Sequence, residues 1–374
     1  MAVPWLPASV RINANVVDAS HGDSRQMASQ PEVLGAGDGS AVFQAFTLRQ
    51  GPLTHVSAAS PSGTASTLAI RVAGVPWTEV PSLYGALPAA RVYTTRLADD
   101  GTVTVQFGDG RTGARLPSGA ENVQARYRVG LGSAGNLEAG QLSLLLTAQL
   151  GVKAVSNPLP SSGGTDGEGL ERARRNAPLT VLTLERIVSL QDFEDFAAAY
   201  TGIGKARADG VWDGQQRLVV LSLAGVGGAP LLAEAPLWRN LASAIDAARP
   251  PHQPLVMAQG QVVVLPLRAR LRVQGGLDFA PVAQAVRLAL VAAFGFEARR
   301  FAQALAGSEL VAVMQSVAGV DHVLLDAFGS GTRQSDLLGD PLGAATARRL
   351  AGVLQPAELL VLDPAGIDLT ELSA

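Results

Sequence analysis

The pattern of apolar residues in this chain changes at a joint rich in proline and glycine, between residues 151 and 180. Before the joint, short β-prone runs alternate apolar and polar residues; after it, helical and strand patterns follow one another. The prolines and glycines at 157–160 and 163–164 interrupt any regular element. We therefore predict an α+β protein with a β-rich domain at 1–150, a linker and polar helix at 151–180, a first α/β module at 181–275 and a second at 276–374.

The β-rich region contains a clear hairpin signal. Residues 93–97 and 102–107 are β-prone, and Asp99, Asp100 and Gly101 between them have the composition of a tight turn. In the second run the apolar residues fall at every other position, which is typical of a half-buried antiparallel strand. Further predicted strands are 10–17, 42–48, 67–72 and 123–129.

A helix followed by a glycine and a strand is predicted just after the joint. The helix covers 190–200, with Ser189 as its N-cap and Asp192 at the third helical position, where it can complete a capping box. Gly202 ends the helix, and residues 203–209 read as a strand.

The same helix–glycine–strand pattern recurs later in the chain. Leu310, Val313, Met314 and Val317 have helical spacing and precede Gly319, and Asp326 then corresponds to Asp209 of the first unit. The recurrence indicates two related units, although any amphipathic helix followed by glycine and a strand would give this pattern.

Further helices and strands alternate between and after these two units. This alternation predicts that the two modules are small ferredoxin-like split βαβ units. The predicted elements are strand 217–223, helix 231–248, strand 262–273, helix 281–294, a short helix after residue 343 and a final strand at 358–363.

Composition excludes several classes of protein. The chain has no cysteine and only four histidines, so disulfides, cysteine-based metal sites and a thiol nucleophile are excluded. A formal net charge of −3 does not suit a nucleic-acid-binding protein. No signal peptide or membrane-spanning run is recognised, so we expect a soluble protein made in the cytoplasm.

Two short motifs could carry chemistry. Residues 130–135, Gly-Leu-Gly-Ser-Ala-Gly, match the G-x-G-x-x-G spacing of a dinucleotide loop, but no acidic residue follows at the expected distance, so a glycine turn is favoured. Residues 18–23 place aspartates beside Ser20 and His21, where a polar turn is the simpler interpretation. His55, His252 and His322 are isolated, and we expect no catalytic residue, cofactor site or metal site.

One predicted strand carries a row of arginines. In residues 267–273, Arg268, Arg270 and Arg272 share one face, and apolar residues occupy the other. The row is either a solvated sheet face or a surface that meets acidic residues of another subunit. Arg172 and Arg175, in the predicted polar helix, are further candidates for a subunit contact.

An ordered series of motifs, roughly from residue 10 to residue 364, resembles the baseplate J-like family of contractile phage tails and phage-tail-like injection systems. The series includes residues 105–119, 127–140, 151–158, 163–168, 172–178, 188–196, 202–206, 308–310, 315–320 and 358–364. It is most similar to the baseplate assembly proteins of extracellular contractile injection systems. The motif residues are Gly108, Asp109, Gly110, Gly113, Pro117, Gly119, Asn122, Tyr127, Arg128, Gly130, Gly132, Gly135, Asn136, Gly202 and Gly319.

The resemblance implies a structural, non-enzymatic role in virion or particle assembly. Family members form the baseplate wedges around the spike hub, join into a ring and couple that ring to the sheath. The implied partners are other wedge proteins, hub proteins and sheath-initiating proteins in a six-fold hetero-oligomer, with no nucleic acid and no membrane span. The chain would be assembled in the cytoplasm and become part of a phage tail or of a released contractile particle.

Two other classes of function stay open at this point. One is an enzyme, either nucleotide-dependent through residues 130–135 or a hydrolase; the other is a free-standing adhesive or carbohydrate-binding β protein. Members of the resembled branch are often longer at the N-terminus, so the chain is either a shortened member or the C-terminal part of a longer one.

Overall fold

The computed structural model describes residues 31–372 except 99, 131, 146–149, 162–163, 165, 168, 171–172, 175–185, 234, 331–332 and 335–339. The chain forms two compact units. The first comprises Met1–Val56 and Ser66–Asp166, and the second comprises Ser57–Ala65 and Gly167–Ala374. A short segment of the N-terminal half thus groups with the C-terminal half. The four predicted domain ranges stay predictions.

The first unit is built on a seven-stranded sheet. Its strands are β1 (Glu32–Gly37), β2 (Ala45–Thr47), β5 (Ala69–Val72), β6 (Val75–Glu79), β7 (Val92–Leu97), β8 (Val103–Phe107) and β9 (Gly119–Arg126). A separate hairpin pairs β3 (His55–Ser57) with β4 (Thr64–Ser66), and most of it belongs to the segment Ser57–Ala65 that groups with the second unit. The order in the large sheet is β1-β9-β5-β6-β7-β8-β2. The pairs are antiparallel except β6 with β7, which are parallel.

The predicted hairpin is confirmed as β7 and β8, which pair antiparallel. The alternation in β8 is also confirmed, because Val103, Val105 and Phe107 are buried in the core of the unit. Phe107 meets the ring of Trp77 edge-on, at 5.4 Å between centroids. Strands are likewise found within 42–48 and 67–72, and β9 overlaps the predicted 123–129, whereas 10–17 lies outside the described residues.

The second unit contains a first α/β sheet, formed by α1 (Leu190–Ala199), β10 (Ile203–Trp212), β11 (Arg217–Gly225), α2 (Pro236–Ala248) and β12 (Leu255–Gln259). Its order is β10-β11-β12, antiparallel between the first two strands and parallel between the last two. The capping box of α1 is confirmed: the Ser189 hydroxyl accepts from Asp192 N, and the Asp192 carboxylate accepts from Ser189 N.

A second sheet follows at once along the chain. It is formed by β13 (Gln261–Val273), α3 (Phe279–Phe294), α4 (Gly307–Gln315), β14 (Val320–Ser330), β15 (Arg333–Gln334) and, after the hairpin β16 (Arg348–Leu350) and β17 (Val353–Gln355), β18 (Glu358–Glu371). The order is β15-β14-β13-β18, with β13 antiparallel to β14 and parallel to β18. The two sheets therefore divide at Gly260.

Three local predictions need correction. The short helix after residue 343 is wrong, because this segment forms the β16–β17 hairpin, whose turn holds Ala351 and Gly352 at positive φ. Packing of Ala347 and Leu354 against the first sheet overrides the helical composition of the segment. The separate strand β12 was not predicted, and the final strand continues past residue 363 to Glu371.

The two helix–glycine–strand units are confirmed in geometry. Gly202 and Gly319 both have φ of +93°, a left-handed conformation that side chains rarely adopt. A Cβ added at Gly202 would lie 2.9 Å from Leu237, and one at Gly319 would lie 3.0 Å from Leu277. Both positions therefore favour glycine for its conformation, and an added Cβ would also crowd the end of a leucine side chain.

The fold is α+β with a β-rich N-terminal part, as predicted, but the ferredoxin-like modules are not confirmed. In the first sheet, β11 and β12 are joined through α2 and are direct neighbours, so this crossover encloses no intervening strand. No helix in the described part of the chain is both long and apolar enough to cross a membrane.

Candidate assembly interface

The predicted arginine row lies on the outer face of the second sheet. Along β13 the odd positions from Leu265 to Leu271 are buried against α3 and α4, and the even positions from Val264 to Arg272 are exposed. The neighbouring strands contribute exposed or half-exposed residues to the same face. We call this surface the arginine face; it comprises Val264, Arg268, Arg270, Arg272, His322, Leu324, Asp326, Asp368 and Thr370.

Two of the three arginines pair with aspartates across the sheet. The Arg270 guanidinium donates to both carboxylate oxygens of Asp326, at 2.7 Å from Nη2 and 3.1 Å from Nε. These hydrogen bonds, and then the negative charge of Asp326, raise the pKa of Arg270 above its ordinary value. Arg268 Nε lies 3.4 Å from a carboxylate oxygen of Asp368. Asp368 is on the same sheet face but on β18, the strand that flanks β13 on the side away from β14. The paired aspartates were not identified as partners from the sequence, because the pairing depends on strand register.

Arg272 differs from the other two arginines. Its register partner on β14 is His322, and it has no ion pair among the described residues. Within the described part of the chain, the arginine face therefore ends in a cation with no carboxylate partner. The other interface candidates, Arg172 and Arg175, lie outside the described residues.

The first group of family-motif residues forms a tight polar turn after β8. Asp109 Oδ1 accepts from the backbone N–H groups of Thr112 and Arg111, and these bonds hold the pKa of Asp109 below its ordinary value. Gly110 and Gly113 both have φ of +85°. A Cβ on Gly108 would come within 2.4 Å of the backbone of Gly113. These residues therefore define a loop conformation, and the aspartate acts as its internal acceptor.

The second group fastens the loop that leads into β9. Asn122 accepts from Gly37 N at 2.7 Å and donates to Pro117 O at 2.8 Å. A Cβ on Gly119 would lie 2.7 Å from the Asn122 amide nitrogen. Nearby, Tyr127 donates its hydroxyl to buried Glu32, and burial together with this bond raises the pKa of Tyr127 to about 12. These four motif residues therefore have structural roles in the first unit: Pro117, Gly119, Asn122 and Tyr127.

Arg128 and Gly130 continue this framework through their backbones. Arg128 N donates to the Thr67 hydroxyl, and its carbonyl accepts from Thr54 N. Gly130 N donates to Pro52 O at 3.2 Å. These bonds fix the strand that enters the G-x-G-x-x-G loop.

Within that loop, the backbone N–H of Ser133 is hydrogen-bonded to a carboxylate of the chain itself. Residues Ser133–Gly135 form one 3₁₀ turn after Gly132, and the Asp166 carboxylate accepts from Ser133 N at 2.9 Å and from the Ser133 hydroxyl. These two bonds, the hydroxyl first, lower the pKa of Asp166. Asn136 exchanges hydrogen bonds with the backbone of Gly164. An internal carboxylate at the available N–H groups favours the structural interpretation of this loop over a nucleotide site.

Buried or partly buried polar side chains of the second unit hold residues 345–357. The carboxylate of Glu358, which is 3% exposed, accepts from Ala345 N; Asp209 accepts from Ala347 N; and the Ser222 hydroxyl accepts from Ala357 N. These contacts were not predicted from the sequence, because each joins residues 13 to 138 positions apart along the chain. They tie this segment to both sheets.

Candidate metal and catalytic groups are scattered. Among the described residues, no three histidine or acidic side chains converge as a metal site would require. His55 Nδ1 is bonded to the Leu53 carbonyl, and His322 lies on the arginine face. The polar motif at 18–23 falls outside the described residues.

Comparison with known proteins bears on the first sheet. Residues 185–258 match the Baseplate J-like central domain. The resemblance stated from the sequence is confirmed over this span, which contains α1, β10, β11, α2 and nearly all of β12. The matched span therefore contains the two helices and, except for the last residue of β12, the three strands of the first sheet.

The chain is also similar to a protein of known structure. The chain is similar to one in the cryo-EM structure of the anti-feeding prophage baseplate, which was symmetrised six-fold, with 16% identity and a TM-score of 0.36. The alignment covers 80% of this chain and 62% of that one, so the present chain spans less than two thirds of that protein. No curated protein gives a significant match.

Proposed function

We propose that this chain is a structural wedge component of the baseplate of a contractile, phage-tail-like particle. The match of residues 185–258 to the Baseplate J-like central domain carries the proposal, since it coincides with an intact α/β sheet of the second unit. In this role the chain assembles around the spike hub, contacts other wedge proteins and couples to the sheath. The ring would be a six-fold hetero-oligomer, assembled in the cytoplasm and then carried in a phage tail or a released particle.

The described residues support a protein that acts through contacts. The motif glycines and their polar neighbours shape loops, and Asp166 fills the loop that most resembled a nucleotide site. A building block of this kind functions by burying surface against its neighbours, and stable interfaces generally bury more than about 1,200 Å². A closed ring requires each subunit to present two different surfaces.

Deletion of the gene in the producing strain tests the proposal. We expect particle preparations from the deletion strain to lack complete baseplates in electron micrographs, and a plasmid copy to restore them. An immunoblot should detect the chain in purified wild-type particles. Complete, sheathed particles that lack the chain would overturn the proposal, as would turnover of a nucleotide by the purified protein that a single substitution abolishes.

A further inference from the structure

The two sheets of the second unit differ in how their outer faces are covered. In the first sheet, the face opposite the helices packs Val211, Leu218 and Val220 against Ala347 and Leu354. These two residues belong to the stretch 345–357, which contains both hairpin strands and is called the β16–β17 segment below. In the second sheet, no described element covers the arginine face.

The uncovered area begins part-way along β13. Near the start of this strand, Val262 on the same side of the sheet packs with Leu359 and Val361 against Phe301. From Val264 onward the outward side chains are exposed, including the apolar Val264 at 48% and Leu324 at 38%. Among the described residues, other parts of the chain thus cover this sheet face near the start of β13 and leave it exposed from Val264 onward.

The open area has a local charge opposite to that of the whole chain. It carries three arginines against two aspartates, whereas the chain has a formal net charge of −3. Pairing with Asp326 and Asp368 orients Arg270 and Arg268, and each guanidinium keeps further N–H donors. Arg272 is exposed and has no carboxylate partner among the described residues.

We propose that the arginine face binds an acidic surface of another protein in the particle, with a partner carboxylate that accepts hydrogen bonds from Arg272. This inference rests on the proposed baseplate function and adds the chemistry of the partner. Charge complementarity supports a protein: carboxylates placed against Arg272 would complete the row, and Val264 and Leu324 would lose water on contact. Nucleic acid fits less well, because Asp326 and Asp368 would repel phosphates and the face carries no Phe, Tyr or Trp for base stacking.

A photo-crosslinking amino acid at Thr370, on the arginine face, tests which molecule covers it. The control carries the same crosslinker at Leu288, which is 61% exposed on α3, on the helix side of the sheet. In purified particles we expect a Thr370 crosslink to an acidic peptide of another particle protein, identified by mass spectrometry. Crosslinks to nucleic acid or to a second copy of this chain, or none in particles that contain the chain, would overturn the inference.

Charge reversal provides the second measurement. We expect Arg272→Glu to reduce incorporation of the chain into particles about ten-fold or more, because it places like charges together at the interface. Arg300→Glu, the same charge change at an exposed position off the arginine face, should leave incorporation unchanged. Equal thermal melting of the two purified variants would exclude unfolding as the cause. Reversing the crosslinked carboxylate to lysine should then restore incorporation of the Arg272→Glu chain.

The outcomes separate this inference from the proposed function. Normal incorporation of Arg272→Glu would overturn the docking surface and leave the baseplate role standing. Absence of the wild-type chain from purified particles would overturn both.

Discussion

The two sheets of the second unit have the same local plan and different surroundings. In each, a central strand, β11 or β13, pairs with an antiparallel strand that follows a helix and a positive-φ glycine, and with a parallel strand on its other side. In the first sheet the helix-led strand β10 precedes the central strand along the chain, and in the second sheet β14 follows it. The same spatial arrangement is therefore reached by two chain orders.

The sequences of the central strands reflect their surroundings. β11 is buried at every position after Arg217, because helices cover one face and the β16–β17 segment covers much of the other. β13 alternates buried and exposed residues from Leu265 to Arg272, because the described elements cover only its helix face there. A continuous apolar run thus marks a sheet covered on both sides, and strict alternation marks one that is open on one side.

The largest effect is expected from a charge on the covered face of the first sheet. Val220→Arg places a cation where the valine is fully buried, so we expect a loss of at least about 4 kcal/mol or failure to fold. Leu324→Arg, on the arginine face, should change the free energy of unfolding by less than about 0.5 kcal/mol. Urea denaturation of both variants measures the contrast; similar losses would contradict the difference in coverage.

The two equivalent glycines give the next largest effect. Gly202→Ala and Gly319→Ala should each destabilise by about 3 kcal/mol, because both need φ of +93° and both would crowd a leucine side chain. Thermal unfolding of the two variants under the same conditions would compare their losses of stability. A large loss at one glycine and none at the other would show that the two units are not equivalent.

The equivalent aspartates should behave differently. Asp209→Ala removes the acceptor of Ala347 N, and we expect a loss of about 2 kcal/mol. Asp326→Ala breaks a solvent-exposed pair with Arg270, and its effect on stability should fall within experimental error. Chemical denaturation of the two variants provides the test, and a larger loss at Asp326 would contradict it.

The smallest effect concerns the helix caps. α1 has a capping box and α4 has Ala306 at its N-cap without a side-chain bond. Ser189→Ala should cost about 1 kcal/mol, and Ala306→Ser, which creates the Ser-x-x-Glu pattern with Glu309, should add about 0.5 kcal/mol. No gain from the new cap would indicate that the backbone at Ala306 cannot adopt the required geometry.

The cap of α1 also predicts a pH dependence. Burial by itself would raise the pKa of Asp192. Hydrogen bonds from the backbone N–H groups of Ser189 and Val188 outweigh this effect and lower the pKa of Asp192 in the folded protein. The folded state therefore binds this proton more weakly than the unfolded state. The contribution is fully present above the unfolded pKa of about 3.9 and is lost as pH falls through the folded value. Asp192→Asn should flatten the stability curve in this acidic range.

Sequence reasoning succeeded where the determining contacts are local. The turn of the β7–β8 hairpin, the capping box at Ser189 and the positive φ of Gly202 and Gly319 each depend on backbone and side-chain preferences within a few positions. It failed for residues 344–357, where contacts to the first sheet replaced a helix by a hairpin. It also missed Asp326 and Asp368 as arginine partners and Asp166 as the anion in the glycine loop.

The amino-acid sequence alone was enough to predict which side chains of β13 share a face, because the two-residue repeat of a strand is a property of the backbone. The tertiary structure was needed to show that, among the described residues, no element covers this face and that two of its arginines are paired while Arg272 is not. Those outcomes depend on strand order and register between segments far apart in the chain. They are set by the packing of whole elements, which no local pattern records.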